Sequence, residues 1–294
     1  MNRTTARLMS LSAAFIWGTS FVVIRWGLLF LPALQFVFLR FLVAYLLMIL
    51  ILFWNGNIKG YLSILTSKPV IITAIFNAMG YIFQFIGQQY TSATNASLLI
   101  NLSSVFVAVF SHIFLSEKLS IIGILGVISA FTGAELLITK GSVAGIFTEH
   151  AIGDLICLLS GLSWAIYILE SKKVSKKDIN DLQLLSVWFL YLTLFSAPLS
   201  FLSGFRAINY EALLAVLYTS IFCTVIGFLL WYNGLKILEA TTSSIYFMIE
   251  IIVSAVLEVA IFGVSLSSIE IVGGIIAIVG VIITDLSFSR RKST

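Results

Sequence analysis

Apolar residues run through this chain in blocks of about 20, each long enough to cross a hydrocarbon layer of roughly 30 Å as a helix. Short stretches carrying Gly, Pro or charge separate them. Read against those breaks, the pattern predicts helices near 8–31, 33–54, 69–90, 94–115, 119–139, 152–172, 182–203, 210–236, 241–262 and 266–286. The predicted fold class is therefore all-α integral membrane, with ten transmembrane helices.

Charge decides the orientation. With the N-terminus inside, the cytoplasmic segments hold Arg3, Arg7, Lys59, Lys68, Lys118, Lys172, Lys173, Lys176, Lys177, Lys236, Arg290, Arg291 and Lys292, against Lys140 and Arg206 outside. This bias follows the positive-inside rule, and it places both termini in the cytoplasm of a multi-pass protein of the cell membrane. Sliding the chain on itself by 147 residues, half of its 294, aligns Trp17 with Trp164, Gly80 with Gly227, Gly87 with Gly234 and Thr94 with Thr241. The same shift aligns Ser97 with Ser244, Gly126 with Gly273, Ala130 with Ala277 and Gly133 with Gly280, with no gap. Five spans per copy is an odd number, so the second copy enters from the opposite side. The predicted organisation is one membrane domain of two inverted five-helix repeats, residues 1–147 and 148–294, an architecture that lets secondary transporters hold a solute near the midplane.

Composition narrows the function. Only 10% of residues are charged and 60% are apolar, where a soluble domain carries about 25% charge. The formal charge of +4 does not point to nucleic acid, because the basic residues sit at helix ends rather than in one aromatic-rich cluster. Cys157 and Cys223 lie in apolar runs without CxxC spacing, so neither a disulfide framework nor a metal site is indicated, and no cofactor is expected. The first run, from about Leu8, leads into a full-length span and is expected to act as its own insertion signal.

Three stretches resemble the EamA family of the drug/metabolite transporter superfamily: Ala14-Phe15-Ile16-Trp17-Gly18; Pro32 followed by Phe38-Leu39-Arg40-Phe41; and Asn95-Ala96-Ser97-Leu98-Leu99 leading into Leu115-Ser116-Glu117-Lys118-Leu119-Ser120. The resemblance covers both repeats. It implies ten helices with cytoplasmic termini and the export or exchange of metabolites such as amino acids. The chain departs from the family where prolines are common in helices 4 and 9, reading Ser104 and Ile251, and where a helix-end Gly-Glu pair reads Gly263-Val264.

Asn77, Tyr81, Gln84 and Gln88 fall at i, i+4, i+7 and i+11 on one face of the third predicted helix. Ser97, Asn101, Ser104, Ala108 and Ser111 repeat that pattern on the fourth. Facing polar stripes suit a polar cavity, with interhelical hydrogen bonding as the plainer alternative. Trp17 and Trp164 stand mid-helix, away from the interfaces where Trp collects. Tyr167, one turn beyond Trp164, and Trp231, the repeat partner of Gln84, extend the candidate lining.

Ionisable residues inside the spans are costly at about 2.5–3.5 kcal/mol each on insertion scales. Arg25, Arg40, Glu135 and Glu258 share the outer half, which suggests a structural or gating cluster of mutual ion pairs. Arg40 is expected to be held by Glu258 or Glu135. Glu250, midway along the ninth span with nothing basic at its depth, is the candidate to respond to protons or to a cationic group on the solute; a structural, permanently protonated acid is the alternative. His112, Glu170 and the seven-residue glycine repeats of helices 5 and 10 read as packing or local charge pairing.

The leading function is a secondary transporter moving a small metabolite, an amino acid or similar amphipathic solute, by alternating access. A membrane-embedded lipid-processing enzyme lacks its nucleophile elbow, metal-ligand spacing or acidic phosphate site in this sequence, and no GxxxxGK[ST] loop for ATP occurs. A channel-like subunit fits less well with inverted repeats. The expected partners are a small-molecule substrate and the lipid bilayer.

Overall fold

Asparagines stand directly before three of the apolar runs, and in the computed structural model of the protein each of them caps a helix. The Oδ1 atoms of Asn2, Asn180 and Asn209 accept from the backbone N–H groups of Thr5, Leu182 and Ala212 at 2.8, 3.0 and 2.9 Å. Each takes up a donor that the first helical turn cannot pair internally. The structure describes residues 2–56, 58–91, 93–114, 120–139, 151–262 and 268–289, and among these all regular structure is helical.

In chain order the helices are α1 (Arg3–Gly27), α2 (Ala33–Trp54), α3 (Tyr61–Leu65), α4 (Lys68–Gln88), α5 (Ala93–Asn101), α6 (Ser103–Phe114) and α7 (Ile121–Thr139). They continue with α8 (Ala151–Val174), α9 (Asp181–Leu202), α10 (Tyr210–Tyr218), a π-helical segment (Thr219–Ile226), α11 (Gly227–Ile237), α12 (Ala240–Ile245), α13 (Met248–Phe262) and α14 (Ser268–Ser289). Lys118, Lys140, the Gly263-Val264 pair, Arg290, Arg291 and Lys292 lie outside the described residues, as do Leu115 to Leu119 and the side chains of Asn95, Leu98, Ala108, Ser111 and His112.

Seven helical stretches among the described residues are long and apolar enough to cross a membrane: Arg3–Gly27, Ala33–Trp54, Lys68–Gln88, Leu155–Val174, Asp181–Leu202, Tyr210–Ile237 and Ala240–Ile261. Ile121–Gly133 and Ile271–Thr284 are shorter apolar helices. The run expected near 94–115 is divided at Leu102 into α5 and α6. Polarity is arranged for lipid. Leu46, Leu50, Ile121, Ile128, Ile275 and Ile282 are exposed, while Asn77, Gln84, Ser97, Ser104, Thr224 and Ser244 are buried. An apolar exterior of this extent is stable only against another apolar phase, and the protein is an integral, multi-pass membrane protein.

Small residues set the close approaches. α7 packs against α14, α4 against α8, and α1 against α11. A Cβ on Gly133 would strike the backbone of Ala277, and one on Gly280 would strike that of Ala130; each contact is the other shifted by 147 residues. In the same way Gly80 lies against the Trp164 indole and Gly227 against that of Trp17, and Gly87 abuts Cys157 while Gly234 abuts Ser10. Such contacts are how helices associate where lipid leaves no hydrophobic driving force between them.

Gly133→Leu or Gly280→Leu is expected to force α7 and α14 apart at a cost of about 1–3 kcal/mol. The melting temperature of the detergent-solubilised protein should fall, whereas Ile275→Leu, on the exposed face, should leave it unchanged. An unaltered melting temperature for both glycine variants would show that these backbones do not touch.

Candidate solute-binding cavity

The predicted fourth and ninth spans are both broken in their first halves, and a hydrogen bond joins the two breaks. The fourth is interrupted at Leu102, the ninth at Tyr246 and Phe247, and no proline is present at either place. At the breaks the backbone tightens to i→i+3 bonds, with Val105 N–H donating to Leu102 O at 2.9 Å and Phe247 N–H to Ser244 O at 3.0 Å. Side chains take up what the interrupted helices leave. The Ser104 hydroxyl donates to the Ser244 carbonyl at 2.7 Å, one broken helix thereby serving the other. Ser104, where the resemblance implied a proline, thus joins the two breaks.

A third irregular segment completes the site. In the π-helical turn, Thr224 Oγ1 donates five residues back to Thr219 O at 2.9 Å. The widened turn presents the Cys223 carbonyl to the Trp17 indole N–H at 2.5 Å, and Ser220 Oγ donates to the Arg40 carbonyl at 2.9 Å. Insertions of this type recur at functional positions.

Between these segments lies a small cavity, with room of about 40 Å³ for the centres of water molecules. Its aromatic walls are Trp17, Phe21, Tyr81, Trp164 and Phe247, and its polar groups are Ser20, Arg40, Gln84, Asn101, Ser103 and Glu250, with Ile100 beside them. Of the candidate lining residues, Trp17, Tyr81, Gln84, Asn101, Trp164 and Glu250 are brought together here. Asn77, Gln88, Tyr167 and Trp231 are not part of the lining. Tyr167 stacks on Trp231 with ring centroids 5.5 Å apart and meets Trp164 edge-on at 5.4 Å, an aromatic layer directly behind the wall. Asn77 is fully buried, and Gln88 accepts from Gln84 Nε2 at 3.5 Å. The polar face of α4 is therefore divided, Tyr81 and Gln84 lining the cavity and Asn77 and Gln88 buried outside its lining.

Arg40 lies in the cavity rather than in the expected charge cluster. Neither Glu258 nor Glu135 pairs with it, and among the described residues it has no carboxylate within ion-pair distance. Its Nε donates to Thr224 Oγ1 at 2.7 Å, its Nη2 reaches Tyr81 Oη at 3.4 Å, and its guanidinium carbon stands 4.8 Å from the centre of the Tyr81 ring. The magnitudes explain why this suffices. A desolvated cation–π contact is worth about 2 kcal/mol and a hydrogen bond to a charged group about 1.5–3 kcal/mol. Together they match the roughly 2.5–3.5 kcal/mol insertion cost of the charge. Glu250 is 6% exposed and accepts one long hydrogen bond, from Asn101 Nδ2 at 3.5 Å.

The remaining charges bind the two ends of the bundle. At the end where α1 stops, Arg25 pairs with Glu258 at 2.9 Å and the Thr94 hydroxyl donates to the other oxygen of Glu258, tying α1, α13 and α5. Glu135, half-buried on α7, joins neither pair among the described residues. At the end where α1 starts, Arg3 pairs with Glu239 at 2.7 Å and Lys236 with Asp181. Lys172 is buried there with its ammonium donating to the carbonyls of Leu235 and Leu238, at the C-terminus of α11, where a cation is favoured by the helix dipole.

The EamA-like transporter family matches this chain at residues 4–139 and again at 151–285. The chain belongs to that family. A relative from Archaeoglobus fulgidus, named an uncharacterized transporter, is 32% identical over 97% of this chain and 98% of its own. The uncharacterized transporters YyaM and YoaV of Bacillus subtilis are 24% and 26% identical, each over 96% of this chain. A solved crystal structure, 20% identical, covers 100% of both chains with a TM-score of 0.80, which shows a shared fold.

As an EamA-like protein the chain is a membrane transporter, and the residues missed in its sequence are instructive. Ser20, Phe21, Ile100, Ser103 and Phe247 line the cavity, and Thr224 orients Arg40. Shifting by 147 residues pairs Ser103 with Glu250, a signal that would have found Ser103 from its partner's side, whereas Ile100 and Phe247 pair only with each other. Nothing in the residue pattern marks the π-helical turn. Thr224→Val removes the acceptor for Arg40 Nε while keeping the shape, and is expected to cost about 1–3 kcal/mol, read as a lowered melting temperature. Thr193→Val, whose hydroxyl only donates to its own helix at Phe189 O, should change it little. Equal effects of the two would remove Thr224 from the support of Arg40.

Proposed function

We propose that this EamA-like transporter is a secondary carrier that exports or exchanges a small metabolite, an amino acid or similarly amphipathic solute, by alternating access across the cell membrane. The observation that carries this reading is the cavity itself: buried charge, amide and aromatic groups gathered at two helix breaks, the arrangement by which carriers hold solute near the midplane. In this reading the ten apolar runs all span the membrane, with both termini cytoplasmic. Residues 1–147 and 148–294 are inverted repeats. Two facts support the repeat: the family matches the chain twice, beginning at 4 and at 151, and the close contacts of Gly80, Gly87 and Gly133 recur 147 residues later at Gly227, Gly234 and Gly280.

Alternating access then needs ties that exchange. The Arg25–Glu258–Thr94 group closes the outer end, while Arg3–Glu239, Lys236–Asp181 and Lys172 close the inner end. Releasing one set while the other holds admits solute from one side at a time. Exposed or half-exposed pairs of this kind are individually weak, about 0–1 kcal/mol, so they can be remade in each cycle.

Purified protein in proteoliposomes loaded with a metabolite panel should give saturable counterflow of a labelled solute; an ohmic ion current without counterflow would identify a channel instead. The topology is checked separately with single cysteines placed at Ser175 and Ser203, in a background with Cys157 and Cys223 replaced. An impermeant thiol reagent applied to intact cells should label position 203 and spare 175. Labelling at 175 from outside would overturn the orientation and the inverted repeat with it.

A further inference from the structure

A second and larger space, about 420 Å³ by the same measure, opens at the end of the bundle where α1 stops, the outer end in the topology proposed above. It lies between the 28–32 turn, Gln89 just past α4 and the 203–206 stretch that follows α9. The volume is that of a ligand cleft, which runs about 300–1,000 Å³, and none of its lining residues lines the solute cavity. Gln89 and Ser203 supply neutral polar groups; Arg206 supplies the one charge of the lining among the described residues. The place of Arg206 is built. Gly204, at φ +88°, turns the chain left-handed where α9 ends, a conformation suited to glycine, and the chain then meets α2. There the fully buried Gln35 grips the main chain of Arg206 twice, its Nε2 donating to the carbonyl at 2.8 Å and its Oε1 accepting from the N–H at 2.8 Å. The side chain beyond that grip is exposed, and among the described residues its guanidinium has no carboxylate within ion-pair distance. Charge bias disfavours a basic residue at an outer connection, where only Lys140 and Arg206 are assigned, so this one calls for a partner.

Its surroundings say which partner. Every residue from 201 to 210 is exposed, and half of them are large and apolar or aromatic: Phe201, Leu202, Phe205, Ile208 and Tyr210. Leu202 is 85% exposed and Tyr210 70%, and the rings of Phe201 and Phe205 stack with centroids 5.4 Å apart. Exposed aromatic groups at the end of a membrane bundle lie at the level of the lipid headgroups, where the anions at hand are phosphates, and a guanidinium meets a phosphate with two parallel hydrogen bonds. A phospholipid answers both features, its phosphate at the arginine and its chains against the apolar residues beside it; a free anion answers only the first. We propose that this pocket holds the phosphodiester headgroup of an outer-leaflet phospholipid, received by Arg206 and positioned by the hold of Gln35 on the Arg206 backbone. A lipid bound there ties the connection between α9 and α10 to the bilayer. The inference uses the membrane placement of the bundle and goes beyond the carrier reading, on whose solute and cycle it does not depend.

The test is native mass spectrometry of the detergent-purified full chain titrated with phosphatidylglycerol, which resolves each bound lipid and its affinity. Arg206→Gln should weaken one phospholipid at least about tenfold, the factor that loss of a hydrogen bond to a charged group carries. Gln35→Leu keeps the arginine but frees its backbone, and should weaken the same lipid severalfold. Diacylglycerol with the same chains, lacking the phosphate, should bind no tighter to the wild-type protein than to Arg206→Gln. Equal phospholipid binding by the wild-type and Arg206→Gln proteins would overturn the site. Diacylglycerol bound as tightly as the phospholipid would show that the chains alone are recognised. Displacement of the lipid by an equal concentration of glycerol phosphate would show a pocket for a free anion, and either result overturns the lipid assignment. An unchanged Gln35→Leu protein would overturn the positioning role. Because the readout is binding without any transported solute, its failure leaves the carrier reading standing, and a failure of counterflow leaves this site standing.

Discussion

Inside a hydrocarbon layer, a backbone N–H or C=O without a partner costs several kcal/mol, which is why membrane-spanning chains are helical and why their helices are broken only where protein surrounds them. Among the described residues, the irregular segments inside this protein are tied to neighbouring helices by side-chain hydrogen bonds. The break before α6 lends the Ser104 hydroxyl to the carbonyl of Ser244 ahead of the break in the ninth span. The π-helical turn offers the Cys223 carbonyl to the Trp17 indole and holds, through Thr224 and Ser220, both the side chain and the backbone of Arg40. Asn101 and Ser103 beside one break and Phe247 at the other line the cavity, and the π-helical turn reaches it through Arg40.

From this follows the unusual standing of Arg40. A charge at that depth invites a carboxylate partner, and four ionisable residues at similar depth made mutual pairing the natural expectation. In the structure Glu258 is taken by Arg25 and Thr94, and Arg40 is held by an aromatic face and a threonine hydroxyl. These contacts offset the insertion cost of the charge without discharging it. A guanidinium held this way keeps its charge beside the cavity, as one locked to a buried glutamate would not.

The distribution of small residues and ion pairs separates rigid from movable contacts. The glycine-mediated approaches of α7 to α14, α4 to α8 and α1 to α11 leave no room for a side chain and have no exchangeable partner. The ties at the ends of α1 are side-chain pairs, individually weak and remade at little cost. Close-packed seams and weak closures at the ends are what the proposed alternating-access reading calls for.

Much of this was legible in the chain because lipid imposes a coarse rule. The length of each apolar run and the placement of lysine and arginine follow from the thickness and polarity of the bilayer. The shift of 147 residues matched Gly80 with Gly227 and Trp17 with Trp164 along the chain, while that these glycines and tryptophans touch across the bundle is shown by the structure. Tyr81, Gln84, Asn101, Trp17, Trp164 and Glu250 could be nominated because polar or bulky groups mid-span need a reason. Tertiary structure alone decided that Asn77, Gln88, Tyr167 and Trp231 fall outside the lining, that Arg40 enters the cavity without a carboxylate, and that helices break at Leu102 and at Tyr246–Phe247 without proline. These outcomes turn on which carbonyl a serine or threonine of another helix happens to face. That is a property of packing between segments 140 or 180 residues apart, and periodicity along one helix does not contain it.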